Sequence, residues 1–143
     1  MKIIKVDRFN ERIFEAVTLL LPQLAPSLDL PDREYFKSVL SSDNINFFVA
    51  ELDNGQIAGM LTVSTCFLPS GIRIWIEDVL VDEAHRGAGL GKELMLFAID
   101  YSKSLGAKEI ELTSRPSRIA ANWLYQKIGF IKYETNVYKY QLK

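Results

Sequence analysis

Between Ile72 and Leu105 the chain changes period, and the junction where it does so limits the folds open to it. Ile72 to Val81 read as a long strand with few polar residues, whereas Leu90, Leu94, Phe97, Ala98, Tyr101 and Leu105 recur at helical spacing. The joint between them is His85-Arg86-Gly87-Ala88-Gly89-Leu90-Gly91-Lys92, with glycine at every second position from 87 to 91. A glycine turn at the start of a helix presents backbone N–H groups that have no carbonyl partner of their own. The positive end of the helix dipole lies behind them, so the turn favours an anion such as a phosphate. Missing Cβ atoms let that anion approach the main chain closely.

The rest of the composition narrows the setting. At 143 residues the chain is the size of one domain, expected to span 1–143, and 48% apolar residues are enough to build a core. A formal net charge of −1 gives no electrostatic footprint for nucleic acid. No apolar run reaches membrane-spanning length, and Met1-Lys2-Ile3-Ile4-Lys5 does not open a secretory signal, so a cytoplasmic protein with no membrane partner is expected. One cysteine, Cys66, and one histidine, His85, exclude a disulfide framework and a Cys/His zinc cluster, and no metal is expected.

Along the chain, residues 2–7 suggest a short strand. Asn10 is placed to cap a helix carrying Phe14, Val17, Leu20, Leu21 and Leu24 on one face, which Pro22 should end or kink. Tyr35, Phe36, Val39 and Leu40 mark a second helix. Asn46–Leu52 and Ile57–Phe67 flank Asp53-Asn54-Gly55-Gln56 as a hairpin, and Pro69-Ser70-Gly71 turns into the strand ending at Val81. The helix after the glycine turn should stop at Gly106. Glu109–Thr113 then reads as a strand, Ser117–Lys127 as a helix, and Phe130–Tyr133 and Val137–Leu142 as two closing strands. The order β-α-α-β-β-β-α-β-α-β-β predicts an α/β (α+β) domain: a mixed, mainly antiparallel sheet of six to seven strands flanked by about four helices.

Three phosphate-binding readings compete at the turn. A Walker A loop requires Ser or Thr after Gly-Lys, but Gly91-Lys92 is followed by Glu93, and the upstream spacing also fails. A dinucleotide fingerprint requires a third glycine where Lys92 stands, although Glu109 and Glu111 lie where a ribose-binding acid would. The third reading is a resemblance. Arg86-Gly87-Ala88-Gly89-Leu90-Gly91 matches the Gln/Arg-x-x-Gly-x-Gly/Ala signature of the GNAT superfamily of acyl-CoA-dependent N-acetyltransferases. Ile76–Asp82 is similar to that family's fourth strand, and Ala121–Phe130 to its Ala-x-x-Leu-Tyr-x-x-x-Gly-Phe motif.

The resemblance implies that acetyl-CoA is the cosubstrate and a primary amine, on a small molecule or a peptide, the acceptor. Main-chain N–H groups of Arg86, Gly87, Ala88, Gly89, Leu90, Gly91 and Lys92 would hold the coenzyme's pyrophosphate, with charge from Arg86 and Lys92 nearby. The pantetheine arm would lie along the strand as an added strand, on main-chain groups of Val79 and Val81. An N–H near Val79 or Leu80 would polarise the thioester carbonyl.

Two proton movements remain. An amine of pKa about 10.4 arrives protonated. Glu77, in an apolar strand, is the candidate base, acting directly or through water; its plainer reading is an acid paired with Arg73 or a lysine. Alternation sets Glu77 with Arg73, Trp75 and Val79, and Asp78 with Ile74, Ile76 and Leu80, so the two acids share a site only if a bulge intervenes. Tyr125 occupies the family's general-acid position, where its phenol would protonate the departing thiolate; packing is its alternative role. The family usually carries an asparagine contacting the cofactor where Arg118 stands here. Asn122, one turn later, could take that contact, while Arg118 or Arg115 could meet a cofactor phosphate or an acidic acceptor.

Other residues read more plainly. His85 suits a loop surface, Cys66 a core strand, Trp75 either the acceptor pocket or packing, and Tyr133, Tyr138 and Tyr140 strand packing. Asp29, Asp32 and Glu34 read as a solvated acidic surface before they read as a cation site. Apolar edges in the last strands leave room for a homodimer. A non-catalytic acyl-CoA-binding module on the same fold is the alternative to an enzyme.

Overall fold

A computed structural model describes residues 1–142. The chain divides into two compact units, one from Met1 to Leu112 and one beginning at Thr113. In the first, β1 (Lys2–Lys5) is followed by α1 (Glu11–Leu24), α2 (Arg33–Ser41), β2 (Ile45–Glu51), β3 (Ile57–Leu68) and β4 (Gly71–Val81). A 3-10 turn over Glu83–His85, α3 (Leu90–Ser104) and β5 (Ile110–Glu111) complete it. The strands form one sheet in the order β1-β2-β3-β4-β5, antiparallel except for the parallel β4–β5 pair.

Local chemistry explains the element ends. Asn10 Oδ1 accepts the Ile13 N–H at 3.1 Å and Asp32 Oδ1 the Tyr35 N–H at 2.8 Å, satisfying donors that each helix's first turn leaves over. Pro22 sits inside α1, which runs on to Leu24 and stops two residues beyond the ring. The β2–β3 hairpin closes through Gly55 N–H to the Leu52 carbonyl at 2.9 Å and Leu52 N–H to the Gln56 carbonyl at 2.8 Å.

Register decides which side chains meet which helices. Phe47, Val49, Met60 and Leu80 join Ile13, Phe14, Val17 and Leu20 of α1 and Phe36 of α2 in one core. The alternate residues serve the other face, where Phe48 meets Phe97 and Tyr101 of α3 edge-on, each at 4.9 Å between centroids. Leu94, Met95 and Ala98 of α3 are wholly buried. Truncating Leu94 to Ala should cost about 2–5 kcal/mol through lost transfer energy and the cavity left behind.

The sheet differs from expectation at its far side. The strand expected at Glu109–Thr113 contracts to β5, because its ladder with β4 holds only Ile74↔Ile110 and Trp75↔Glu111. The closing strands expected at Phe130–Tyr133 and Val137–Leu142 do not form: residues 130–142 carry no helix or strand. The sheet therefore has five strands, not six or seven. Alternating apolar residues specify a face but not the edge that face pairs with, and without a ladder the pattern makes no strand. Tyr133, Tyr138 and Tyr140 are accordingly exposed rather than packed. Cys66 is exposed too. It lies where β3 has run past Ser64, the partner of β2's first residue, and pairs with β4 alone.

In the second unit, α4 (Ile119–Lys127) is closed by Ile128 N–H to the Leu124 carbonyl at 3.0 Å and Phe130 N–H to the Tyr125 carbonyl at 2.9 Å. The Phe130 ring lies 6.0 Å from that of Tyr125. Among the described residues no helix is long and apolar enough to cross a membrane.

Candidate functional site

The site grows from an irregularity in β4. Glu77 pairs with Thr62 and Leu80 with Met60, so Asp78 and Val79 together stand opposite the single residue Leu61. That two-against-one count is a β-bulge. Asp78 takes the extra backbone turn with φ 51°, a left-handed conformation that aspartate tolerates better than most residues. The bulge also inverts the alternation beyond it. Leu80, expected on the side of Ile74 and Ile76, is set on the side of Glu77 instead, because each shares a face with its opposite residue in β3.

The bulge resolves the conflict between the two neighbouring acids. Both remain accessible to solvent. Partial burial raises the Glu77 carboxyl above its ordinary range, and the adjacent Asp78 charge raises it further; burial alone raises Asp78. Among the described residues no cation lowers either one. Arg73, the plainer partner for Glu77, lies 3.5 Å from Glu111 instead. Sequence reasoning passed over Asp78 as a site residue, and an Asp beside a Glu in an apolar strand was the signal for it.

β4 continues beyond Trp75 to Val81, while β5 ends at Glu111, so the stretch that bears the acids has no ladder with β5. At the end of that stretch stands the glycine turn. Asp82 anchors its root: Oδ1 accepts from Gln23 Nε2 and from the Ala84 N–H, each at 3.2 Å, and Gln23 Oε1 accepts the Glu83 N–H at 2.9 Å. The Gln23 hydrogen bond above all, with the Ala84 N–H and nearby His85, holds the Asp82 carboxyl below its usual range against the opposing effect of burial. His85 is thereby drawn half into the turn, its Nδ1 3.7 Å from Asp82 Oδ2, rather than lying on an open loop. Neither Asp82 nor Gln23 was marked by the sequence, although Asp before a short turn is a capping signal.

Gly87 and Gly89 have φ of 82° and 87°, and Gly89 caps α3 with no side chain at all. A Cβ placed on either would meet nothing within 4 Å, so the cradle is open above its main chain, as a bound diphosphate requires. Arg86 donates Nε to the Val81 carbonyl at 3.1 Å, which fixes the root of its guanidinium and engages that carbonyl. Leu80 and Leu90 bury their side chains and can serve a ligand through main chain only. Ala88 and Lys92 are exposed beside them.

In the second unit, Tyr125 is the one buried residue of α4. Burial raises its phenol above the ordinary value, and the charge of Arg118 offsets part of that rise. Asn122 donates Nδ2 to the carbonyls of Arg115 at 2.8 Å and Arg118 at 2.9 Å, so both of its donors tie down the approach to α4 and only its oxygen is left for a ligand. Arg118 is the helix N-cap residue.

The early acidic residues divide as their plainer reading implies. Asp32 caps α2 and Glu34 lies 3.0 Å from Lys37. Among the described residues no cluster of three or more His, Cys, Asp or Glu side chains could hold a metal ion.

A glycine cradle at a helix start is what the Arg86–Gly91 motif pointed to, and the bulge in the strand before it is added by the structure. Residues 11–130 match the model of the acetyltransferase (GNAT) family. The chain belongs to that family. Glucosamine 6-phosphate N-acetyltransferase of Arabidopsis thaliana is 30% identical over 129 residues, which cover 85% of each chain. An uncharacterized N-acetyltransferase of Methanocaldococcus jannaschii is 33% identical over 102 residues, 68% of this chain. For it, a streptothricin acetyltransferase and a trypanosomal glucosamine 6-phosphate N-acetyltransferase, the match spans 38–44% of the relative's length. A crystal structure of an aminoglycoside acetyltransferase from an uncultured soil metagenomic sample superposes with TM-score 0.86 over 99% of this chain and 96% of its own, at 23% identity, which speaks for the fold.

Proposed function

We propose that this GNAT chain is an enzyme that moves an acetyl group from acetyl-CoA to the primary amine of a small molecule, by direct attack in a ternary complex. The observation that carries the reading is β4 itself: it runs on past the end of β5, bears two carboxylates whose acidity burial weakens, and leads into a glycine cradle at the start of α3. The family match across residues 11–130 reaches into both compact units and supports their acting as one domain.

Bound acetyl-CoA supplies an activated acyl group on sulfur. The main chain from Arg86 to Lys92 receives its diphosphate, with Arg86 and Lys92 adding charge. The Val79–Val81 stretch of β4 orients the extended arm as a strand would, and an N–H there polarises the thioester carbonyl. Glu77 takes a proton from the ammonium, through water where the gap requires it, and the freed amine forms the C–N bond as the C–S bond breaks. Tyr125 gives its proton to the sulfur and regains one from the second proton that the new amide nitrogen sheds; its phenol, near pKa 10 when unperturbed, is a sufficient acid for a thiolate whose conjugate acid lies near about 8.5. Asn122, through its oxygen, and Arg118 line the same coenzyme.

Amino sugars lead the acceptor candidates, because relatives similar over most of this chain are named for glucosamine 6-phosphate. The test is a thiol-release screen with acetyl-CoA against a panel of amino sugars, polyamines, amino acids and peptides. Turnover with one amine class, reduced about a hundredfold by Tyr125→Phe at unchanged acetyl-CoA affinity, is the expected result. Coenzyme binding without thiol release from any amine would make the chain a binding module, and no binding would overturn the reading altogether.

A further inference from the structure

The glycine turn is gripped at its root by a side chain from a distant part of the chain. Gln23 lies in the last turn of α1, 59 residues before Asp82. Its amide makes two bonds at once: Nε2 donates to Asp82 Oδ1 at 3.2 Å, and Oε1 accepts the Glu83 N–H at 2.9 Å. The residue type follows from that geometry, since one planar group must offer a donor to a carboxylate and an acceptor to the next amide. A glutamate lacks the donor and a lysine the acceptor. The other bonds of Asp82 are made to β3 and within the turn. Its N–H donates to the Ala58 carbonyl at 2.9 Å, its carbonyl accepts the His85 N–H at 2.8 Å, and Oδ1 also takes the Ala84 N–H. Gln23 is the contact that reaches this root from a helix, and α1 is itself anchored one turn earlier by buried Leu20. Beyond Glu83 the path continues, its carbonyl facing the Arg86 N–H at 3.5 Å where the cradle begins.

We propose that Gln23 is a positioning residue for the coenzyme: from α1 it fixes the Asp82–Glu83 root, so that the main chain from Arg86 to Lys92 is set for a diphosphate. The inference rests on the reading of that turn as the acetyl-CoA seat. Two physical effects act through the clasp. The first is preorganisation. A cradle of main-chain N–H groups binds by their orientation, yet Gly87 and Gly89, both at positive φ, leave the backbone there free to depart from it. Rigidity has to come from the root, and a seat held in its binding geometry loses less freedom when the ligand enters. The second is competition. Asp82 is itself an anion at the root of an anion seat, and it already takes one N–H of the turn. With Gln23 engaging its oxygen, that carboxylate is held toward α1. Released, it becomes a local rival to the diphosphate for the N–H groups that follow.

The test is calorimetry of acetyl-CoA binding to the full chain. Gln23→Met keeps the length of the side chain and removes both bonds, and should raise Kd about tenfold. Gln23→Glu should raise it further, because it sets one carboxylate against another. Adding Asp82→Asn to Gln23→Glu restores a donor–acceptor pair in the reverse sense and should recover part of the loss, which a merely weakened fold would not do. Leu20→Val, on the buried face of the same helix, should lower Tm without changing Kd. The inference is overturned if Gln23→Met binds as tightly as the parent, if the double variant binds no better than Gln23→Glu, or if Leu20→Val weakens binding as much as Gln23→Met. A parent that binds no acetyl-CoA overturns the coenzyme seat itself, a failure visible before any variant is made.

Discussion

The sheet carries two β-bulges, each beside a glutamate, and they are put to opposite uses. At the end of β2 the register slips between Ala50 and Glu51, and there Arg12 Nη2 lies 2.6 Å from Glu51 Oε2 while Lys2 lies 3.6 Å from Oε1. The Arg12 hydrogen bond and charge hold that carboxyl below its ordinary range. In the middle of β4 the bulge sets Glu77 beside Asp78, and burial with like charge holds both above theirs. The backbone device is the same; the neighbours differ. A cation converts an acid at a bulge into a brace between α1 and the sheet, whereas its absence leaves two carboxylates that accept a proton more readily than an ordinary acid does. Each region also has a glycine turn with φ near 85°, Gly55 (84°) beside the brace and Gly89 (87°) beyond the acid pair.

The largest test of this contrast is catalytic. Glu77→Gln should lower kcat by about 10²–10⁴-fold with acetyl-CoA affinity unchanged, whereas Glu51→Gln should leave kcat alone. Equal activity of parent and Glu77→Gln would remove the functional half of the comparison. A smaller effect comes from the two glycines. An added methyl meets nothing at either position, so Gly55→Ala and Gly89→Ala should each cost about 1–2 kcal/mol through left-handed strain alone. Their thermal shifts should match, yet only Gly89→Ala should raise KM for acetyl-CoA. If both variants raised it, the cradle would not be the coenzyme's seat.

What the residues disclosed in advance follows from the range over which each feature is specified. The hairpin at Asp53–Gln56, the Asn10 cap and the glycine turn before α3 are written within a few neighbouring residues, and all three stand where the pattern put them. The β4 bulge is not local. It arises because Glu77 must oppose Thr62 while Leu80 opposes Met60, a register between strands that no window of sequence contains. For that reason Leu80 was assigned to the wrong face, and the bulge that would let Glu77 and Asp78 share a site could be named as a condition but not located. The segment beyond Phe130 fails for the same kind of reason: its alternation was legible, but a strand also needs an edge, and the edge is a property of another part of the fold or of another molecule. At Asn122 the engagement of both donors by the Arg115 and Arg118 carbonyls was not legible, because that contact depends on how the loop before α4 turns.

The smallest effects are the most diagnostic, because at the two bulges they carry opposite sign. Removing the Asp78 charge by Asp78→Asn takes away one of the causes that raise Glu77, so the acidic limb of the rate profile should move to lower pH, by roughly one unit or less. Stability should respond as well. A carboxyl raised in the folded state binds its proton more tightly there than in the unfolded chain, so the parent loses stability as pH rises from the unfolded value through the raised one. Asp78→Asn should therefore have a Tm equal to or above the parent's at neutral pH, with the gain vanishing in acid. Glu51 behaves in reverse. Its lowered carboxyl contributes stability above the unfolded value of about 4.3 and loses it as pH falls through the folded value. Glu51→Gln should then lower Tm at neutral pH by a few degrees at most, since Arg12 is half exposed and such pairs are weak, and parent and variant should converge below the ordinary carboxyl range. Thermal melts of both variants across the same pH series would show one difference opening upward and the other downward; two curves of the same sign would mean that the neighbours, and not the bulges, had been misjudged.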